Sequence, residues 1–364
     1  MGFTIRPYKG KKLMVDFRYS VADGSRRRDR KIAPTTSRPA AERWAADRLT
    51  ALIRGETVIT KEVKTLAEFE PTFIERYAKG NNQKHSSVVT KESVFKVHLV
   101  PAFGKKKLDA ITTADVDELK AALLKKGRSA KRINDILTVL RTALRTAVRY
   151  GEMTASPADV VGLPLPESEM SFYDEAELAR LLEAAKFVDE RAHLVVLLGA
   201  DAGLRAGEML PLEWGDLDTK AGLVTIRRAE WRGVVGSTKN GKKRTVEMTD
   251  RLRAALAAYR HMRGKRVFYR DGAELRTVTL KIVETWVAAS LRLAQFGKPA
   301  AVHALRHTFG TRLAASGATA KEIQELMGHK SLRSTFRYLH FVPGARAQAI
   351  DRLQKVGNRR ATPS

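Results

Sequence analysis

The sequence predicts a multidomain chain, mainly α with small β-sheets, and three observations carry that class. Leu13, Val15, Phe17 and Tyr19 alternate with more polar neighbours, the period of a half-buried strand. Apolar residues recur every three or four positions from Ile133 to Val148, and again at Leu305, Phe309 and Leu313, the period of helices. Between those stretches, Asn240-Gly241 lies among three short strand-like runs, so the second half mixes β with α.

In chain order, residues 1–60 predict a three-stranded sheet plus a helix. The alternating strand is followed by an Asp23-Gly24 turn and the strand R-R-R-D-R-K; Ala41, Trp44, Ala45, Leu49, Leu52 and Ile53 then line one side of a helix. Arg26, Arg27, Arg28, Arg30 and Lys31 make the basic strand a candidate DNA contact, with a solvated charged hairpin as the plainer alternative. Residues 64–151 predict an all-helical unit. Its last helix has a core stripe of Ile133, Ile136, Leu137, Leu140, Leu144 and Val148, beside which Arg141, Arg145 and Arg149 are spaced to track a phosphate backbone or merely to face water. Pro157, Pro164 and Pro166 mark 152–170 as a linker. Residues 171–364 form the last domain and a tail, with strands at 223–228, 233–238 and 243–248 and Asn240-Gly241 as a two-residue hairpin turn.

Chemistry concentrates in that domain. In G-L-R-A-G-E, Arg205 follows a Gly203 break and opens a helix, where its guanidinium and nearby backbone N–H groups can share an anion, and Glu208 one turn on can hold that guanidinium in place. In V-H-A-L-R-H, His303 and Arg306 stand one helical turn apart, and arginine's planar fork suits two non-bridging phosphate oxygens. His307 suits either a core hydrogen bond or a supporting role. Gly317 ends the first helix, Gly328 ends a second, and His329 follows, with enough chain for a turn and about two helical turns to return Tyr338 to the same place. Lys239, on the shoulder of the hairpin, is the candidate acid. Lys242 and Lys243 are close enough that a shift of hairpin register would change that assignment.

These side chains suit phosphoryl transfer through a phenol. A tyrosine with its ordinary pKa of about 10 needs cationic neighbours both to lose its proton and to attack an anionic diester. Arginines and histidines around the phosphate stabilise the charge that develops on its oxygens, the work that other nucleases give to metal ions. The product, a phosphotyrosyl bond, conserves the energy of the diester, so rejoining needs no ATP. No carboxylate cluster for a metal pair and no Walker pattern is evident, and neither cofactor nor metal is expected.

In this order Arg205, Lys239, His303, Arg306, His329 and Tyr338 resemble the tyrosine recombinase, or phage integrase, family. Its box-one pattern is met by Gly203, Leu204, Arg205 and Glu208, its box-two pattern by 303–307, its Gly-His pair by Gly328 and His329, and its nucleophile motif by Thr335, Tyr338 and His340. The resemblance implies an arm-site DNA-binding domain at 1–60, a helical core-binding domain at 64–151 and a catalytic domain from 171. It implies a site-specific recombinase or integrase that cuts duplex DNA through a 3'-phosphotyrosyl intermediate, as a homotetramer on two synapsed duplexes, with the C-terminal tail packing on a neighbouring protomer. The rivals are a type IB topoisomerase-like relaxing enzyme and a non-catalytic DNA-binding regulator. The target site and any need for a host DNA-bending protein stay open.

Composition agrees with a polyanionic partner. The chain has 67 Lys plus Arg against 40 Asp plus Glu, a net charge of +27 over 364 residues. Basic residues exceed acidic ones by 15 to 7 in residues 1–63, 18 to 11 in 64–165 and 34 to 22 beyond, so the excess is spread rather than confined to a tail. With no cysteine, disulfides, thiolate metal sites and cysteine catalysis are excluded. The first residues lack a signal-like apolar run, and the apolar stretch at 194–200 is too short to span a bilayer, so a cytoplasmic protein without membrane contact is expected.

Overall fold

The computed structural model describes residues 2–8, 10, 12–21, 24–54, 62–166, 170–238, 241, 243–270, 276–297 and 302–339. The chain divides into two compact units, residues 1–165 and 166–364.

The first unit holds two hydrophobic cores. The smaller belongs to an antiparallel sheet, β1 (Gly2–Tyr8), β2 (Lys12–Ser20) and β3 (Arg26–Ile32), in that spatial order, packed on α1 (Arg38–Ile53). Strand alternation sends Ile5, Val15 and Phe17 against Ala41 and Ala45 of the helix, and Trp44 meets Phe17 edge-on at 5.9 Å. The register pairs Phe17 with Asp29 and Arg18 with Arg28, so the basic strand is split between the two faces.

The larger core is gathered by α2 (Leu66–Thr72), α3 (His85–Val94), α4 (Val100–Phe103), α5 (Thr113–Lys125) and α6 (Ala130–Arg149), with π-helical turns at Phe73–Lys79 and Phe95–Leu99. The stripe from Ile133 to Leu144 is buried as its period demands. The first half of the proline-rich stretch is part of this core rather than a free linker. Met153, Ala158 and Val160 are buried in it, and Asn134 of α6 binds both the carbonyl and the N–H of Leu163, at 2.8 and 2.7 Å. The prolines exclude helix there without preventing burial, because the side chains of Asn134, Arg141 and Thr113 satisfy the backbone.

In the second unit α7 (Glu175–Val188) and α8 (Glu190–Ala200) precede the short α9 (Ala206–Met209); further on come α10 (Asp250–Ala258), α11 (Leu280–Leu293), α12 (Val302–Ala315), α13 (Ala320–Met327) and α14 (Arg333–Leu339). α8 packs on α7, α11 and α12, and with neighbours on several sides it buries an unbroken run from Leu194 to Ala200. Strands β4 (Leu217–Asp218), β5 (Leu223–Ile226), β6 (Arg228–Trp231), β7 (Val234–Ser237), β8 (Arg244–Glu247), β9 (Tyr269–Arg270) and β10 (Arg276–Thr277) make small antiparallel sheets.

The pairing differs from the expected hairpin. β7 pairs with β6 and β8 pairs with β5, so the segment holding Asn240-Gly241 joins strands of two different sheets. The two-residue turn is Arg232-Gly233, with φ of +50° and +81°, the doubly positive geometry that matches strand twist. An arginine seldom adopts that backbone, which hides the turn from a sequence reading. Among the described residues no helix is long and apolar enough to cross a membrane.

Candidate active site

Two guanidiniums converge on one carboxylate, and a third lies close by. After α8 the chain turns at Gly203, whose φ is +64° and where a β-carbon would run into the Phe309 ring, so glycine is required. Arg205 then stands at the N-cap of α9, and Glu208 accepts both its backbone N–H, at 2.9 Å, and its Nη1, at 2.8 Å. From β8, Arg244 grips the same carboxylate with both Nη atoms, at 3.0 and 2.7 Å, and donates Nε to the Leu326 carbonyl at 3.2 Å. Arg306, on α12 and 1 % exposed, donates to the carbonyls of Gly203 and Met327.

The charges do not balance locally, and the pKa values shift accordingly. Burial acts to raise the Glu208 carboxyl, but Arg244's hydrogen bonds and charge, with those of Arg205, outweigh it and hold the pKa at about 2. Burial, then repulsion from Arg205 and Arg244, brings Arg306 down to about 9, only partly offset by Glu208 and Tyr338. A site with surplus fixed cations is prepared for an anion.

The phenol lies beside this cluster. Tyr338, on α14, is 2 % exposed, and its hydroxyl is 3.0 Å from Nδ1 of His307. Its ring is parallel to that of His329, at 6.0 Å and 4°, and its edge fits against Gly310, where a β-carbon would stand 2.8 Å from Cε1. Burial raises the phenol pKa, while Arg306, Arg337 and Arg205 pull it down. Gly328, φ +62°, ends α13 and delivers His329, whose Nδ1 is 2.9 Å from the buried Thr335 hydroxyl. Burial, then the charges of Arg306, Arg205, Arg337 and Arg244, press His329 to about 3. Burial, then His303, Arg337 and Arg306, press His307 to about 4. Both rings are neutral at pH 7.

The structure therefore brings Arg205, Glu208, Arg306, His307, His329 and Tyr338 together. His303 is exposed on the rim, its ring edge-on to His307 at 4.4 Å. Lys239, with Lys242 and His340, lies outside the described residues; Lys243 lines the cleft that holds Arg205, Arg244 and His329. Sequence reasoning missed Arg244, hidden in the basic run K-K-R. Its signal was strand alternation, since Arg244 and buried Val246 share the inward side of β8. The task of Thr335, backing His329, was also missed. No group of three or more His, Cys, Asp or Glu able to hold a metal exists among the described residues.

The predicted DNA-contacting residues part company. Arg26, Arg28 and Arg30 lie on the open face of the sheet, joined there by exposed Arg6 and Arg18, which the sequence reading did not single out. Arg27 and Lys31 point to the side that α1 covers, alongside Asp29, which receives Arg48 of α1 at 3.5 Å. Arg28 is engaged with Asp16. On α6, Arg141 is spent on the Val160 carbonyl, Arg149 lies over the rings of Tyr77 and Tyr150, at 5.4 and 5.2 Å, and Arg145 is exposed.

Residues 171–343 match the phage integrase family, and residues 65–123 match the phage integrase N-terminal SAM-like domain. Tyrosine recombinase XerC of Xanthomonas axonopodis pv. citri (strain 306) is 30% identical over 240 residues, covering 63% of this chain and 73% of the relative. ICEBs1 integrase of Bacillus subtilis (strain 168) is 24% identical over 368 residues, 94% of this chain and 96% of the relative. In fold, the chain is similar to the Tn1549 transposon integrase solved in complex with a circular intermediate DNA, with a TM-score of 0.69 at 19% identity, over 79% of this chain and 99% of that one. The chain belongs to the phage integrase family of tyrosine recombinases.

Proposed function

We propose that this recombinase integrates or excises a mobile DNA element by cutting and rejoining duplex DNA at specific sites. The observation that carries the reading is the surplus of guanidinium charge from Arg205, Arg244 and Arg306 around Glu208, immediately beside a buried phenol. A phosphodiester placed there has its oxygens met by Arg205 and Arg306, and His303 and His329 add donors or move protons. Tyr338 attacks phosphorus, the 5'-oxygen leaves with a proton from Lys239, and a 3'-phosphotyrosyl bond holds the strand until a new 5'-hydroxyl displaces the phenol. Exchange between two duplexes cuts four strands, and one reactive tyrosine per chain then calls for four copies.

The remaining parts take DNA-holding roles. Residues 1–60 serve as an arm-site domain, 64–151 as the core-binding domain and 171–364 as the catalytic domain and tail, acting in the cytoplasm where the DNA lies. Similarity to the ICEBs1 integrase along nearly its full length supports an element-borne enzyme. The decisive test uses a nicked suicide duplex carrying the repeat that flanks the gene. Wild type should form a covalent protein–DNA adduct on a denaturing gel, in EDTA and without ATP, and Tyr338→Phe should form none while still shifting the duplex. A relaxing enzyme would remove supercoils without exchanging strands, and a regulator would keep its function with phenylalanine at 338.

A further inference from the structure

We propose that His307 is the catalytic base that takes the proton of Tyr338, and that His303 passes that proton to solvent. The inference rests on the reading of Tyr338 as nucleophile and adds a residue to that reaction. Of the described imidazoles near the phenol, His307 is the one whose ring nitrogen meets the hydroxyl, at 3.0 Å; His329 lies parallel to the ring and turns its Nδ1 to Thr335 instead. Beyond His307 stands His303, edge-on at 4.4 Å and exposed. Phenol, inner ring and outer ring thus form a row from a tyrosine that is 2 % exposed to an exposed histidine.

The proton inventory closes. Nδ1 of neutral His307 accepts the O–H proton as the phenolic oxygen forms its bond to phosphorus and the P–O5' bond breaks, the 5'-oxygen taking its proton from a separate acid. The imidazolium left at His307 gives up its Nε2 proton towards His303 and solvent. Religation runs in reverse: the 5'-hydroxyl attacks phosphorus, the P–O(Tyr338) bond breaks, and His307 returns a proton to the phenol. The arrangement requires His307 to be free of charge beforehand. The groups that face it are His303 and Arg306 from α12 and Tyr338 and Arg337 from α14, and burial together with the cations among them keeps the ring neutral.

Two measurements test it. The first is the 15N spectrum of the free full-length protein, with His307 assigned by loss of its signal in His307→Asn. An unprotonated Nδ1 at pH 7 is expected, and an Nδ1–H tautomer would overturn the proposal without touching the identity of the nucleophile. The second is the rate of adduct formation on a suicide duplex with a 5'-bridging sulfur, whose thiolate leaves without an acid. Asparagine keeps an acceptor near the hydroxyl but cannot carry the proton away, so His307→Asn should be slower by about 10²-fold at pH 7 and gain close to tenfold per pH unit up to pH 9. His307→Gly should recover on adding imidazole, which also covers the case that asparagine disturbs the helix. A His307→Asn rate within threefold of wild type, or one equally slow at every pH with no imidazole rescue, sinks the assignment. Absence of an adduct from wild type would instead discard the reading of Tyr338.

Discussion

Arg244 holds both oxygens of Glu208, so the carboxylate that orients Arg205 is itself oriented from a separate strand. Arg244 also binds the last turn of α13 through Leu326, and its Cδ fills the space where Gly328 lacks a side chain. One guanidinium therefore couples β8, the start of α9 and the turn that presents His329.

Removing one partner of a buried pair leaves the other uncompensated. Arg244→Ala should lower unfolding stability by about 3–5 kcal/mol in urea titration. Arg244→Lys keeps the charge but not the fork, and should keep DNA binding in gel shifts while slowing adduct formation.

Glu208 should dominate the acid side of the stability curve. Its folded pKa of about 2 lies below the ordinary carboxylate value, so its contribution is complete above that value and is lost as pH falls towards 2. The loss is about 3 kcal/mol from the size of the shift. Glu208→Gln, less stable at pH 7, should show a flatter pH dependence below pH 5 in thermal unfolding.

The two depressed imidazoles act in a higher window. An unfolded chain protonates His307 and His329 near 6.5, whereas the folded chain waits until about 4 and 3, so their effect is to lower stability as pH falls below 6.5. Ring-proton NMR shifts of both should stay at their neutral positions at pH 5.5. A His329 titrating near 6.5 would overturn its burial among these cations.

Gly310→Ala tests the seat of the phenol. Its β-carbon would lie 2.8 Å from both Tyr338 Cε1 and Met327 Sδ, and α13 with α14 must give way. A cost of about 1–3 kcal/mol is expected in chemical denaturation. Adduct formation should fall more than DNA affinity does.

On the N-terminal sheet, face should decide effect. Arg26→Ala with Arg30→Ala should weaken binding to arm-type duplex and reduce the slope of log affinity against log salt by about 1–2. Arg27→Ala with Lys31→Ala, on the side facing α1, should change that slope less.

Local chemistry was legible in the sequence, and non-local pairing was not. The glycines at 203, 317 and 328 mark real breaks, and the stripes of α6 and α12 are buried where their periods place them, save that Val148 and Leu313 are half-buried. The Asn240-Gly241 signal misled because strand partners are chosen by packing across the domain, and β8 prefers β5. Arg244 escaped notice because a lysine-rich run resembles a solvated one until strand register turns a single member inward. Likewise, five basic residues of one strand look like one patch, yet alternation gives them two faces.

Between the parallel ring of His329 and the notch left by Gly310, the aromatic plane of Tyr338 has its torsions chosen before any substrate arrives. Under the proposed role of Tyr338, what remains to be ordered is the sugar-phosphate of the DNA, and the entropy of aligning the attack falls on the nucleic acid rather than on the protein.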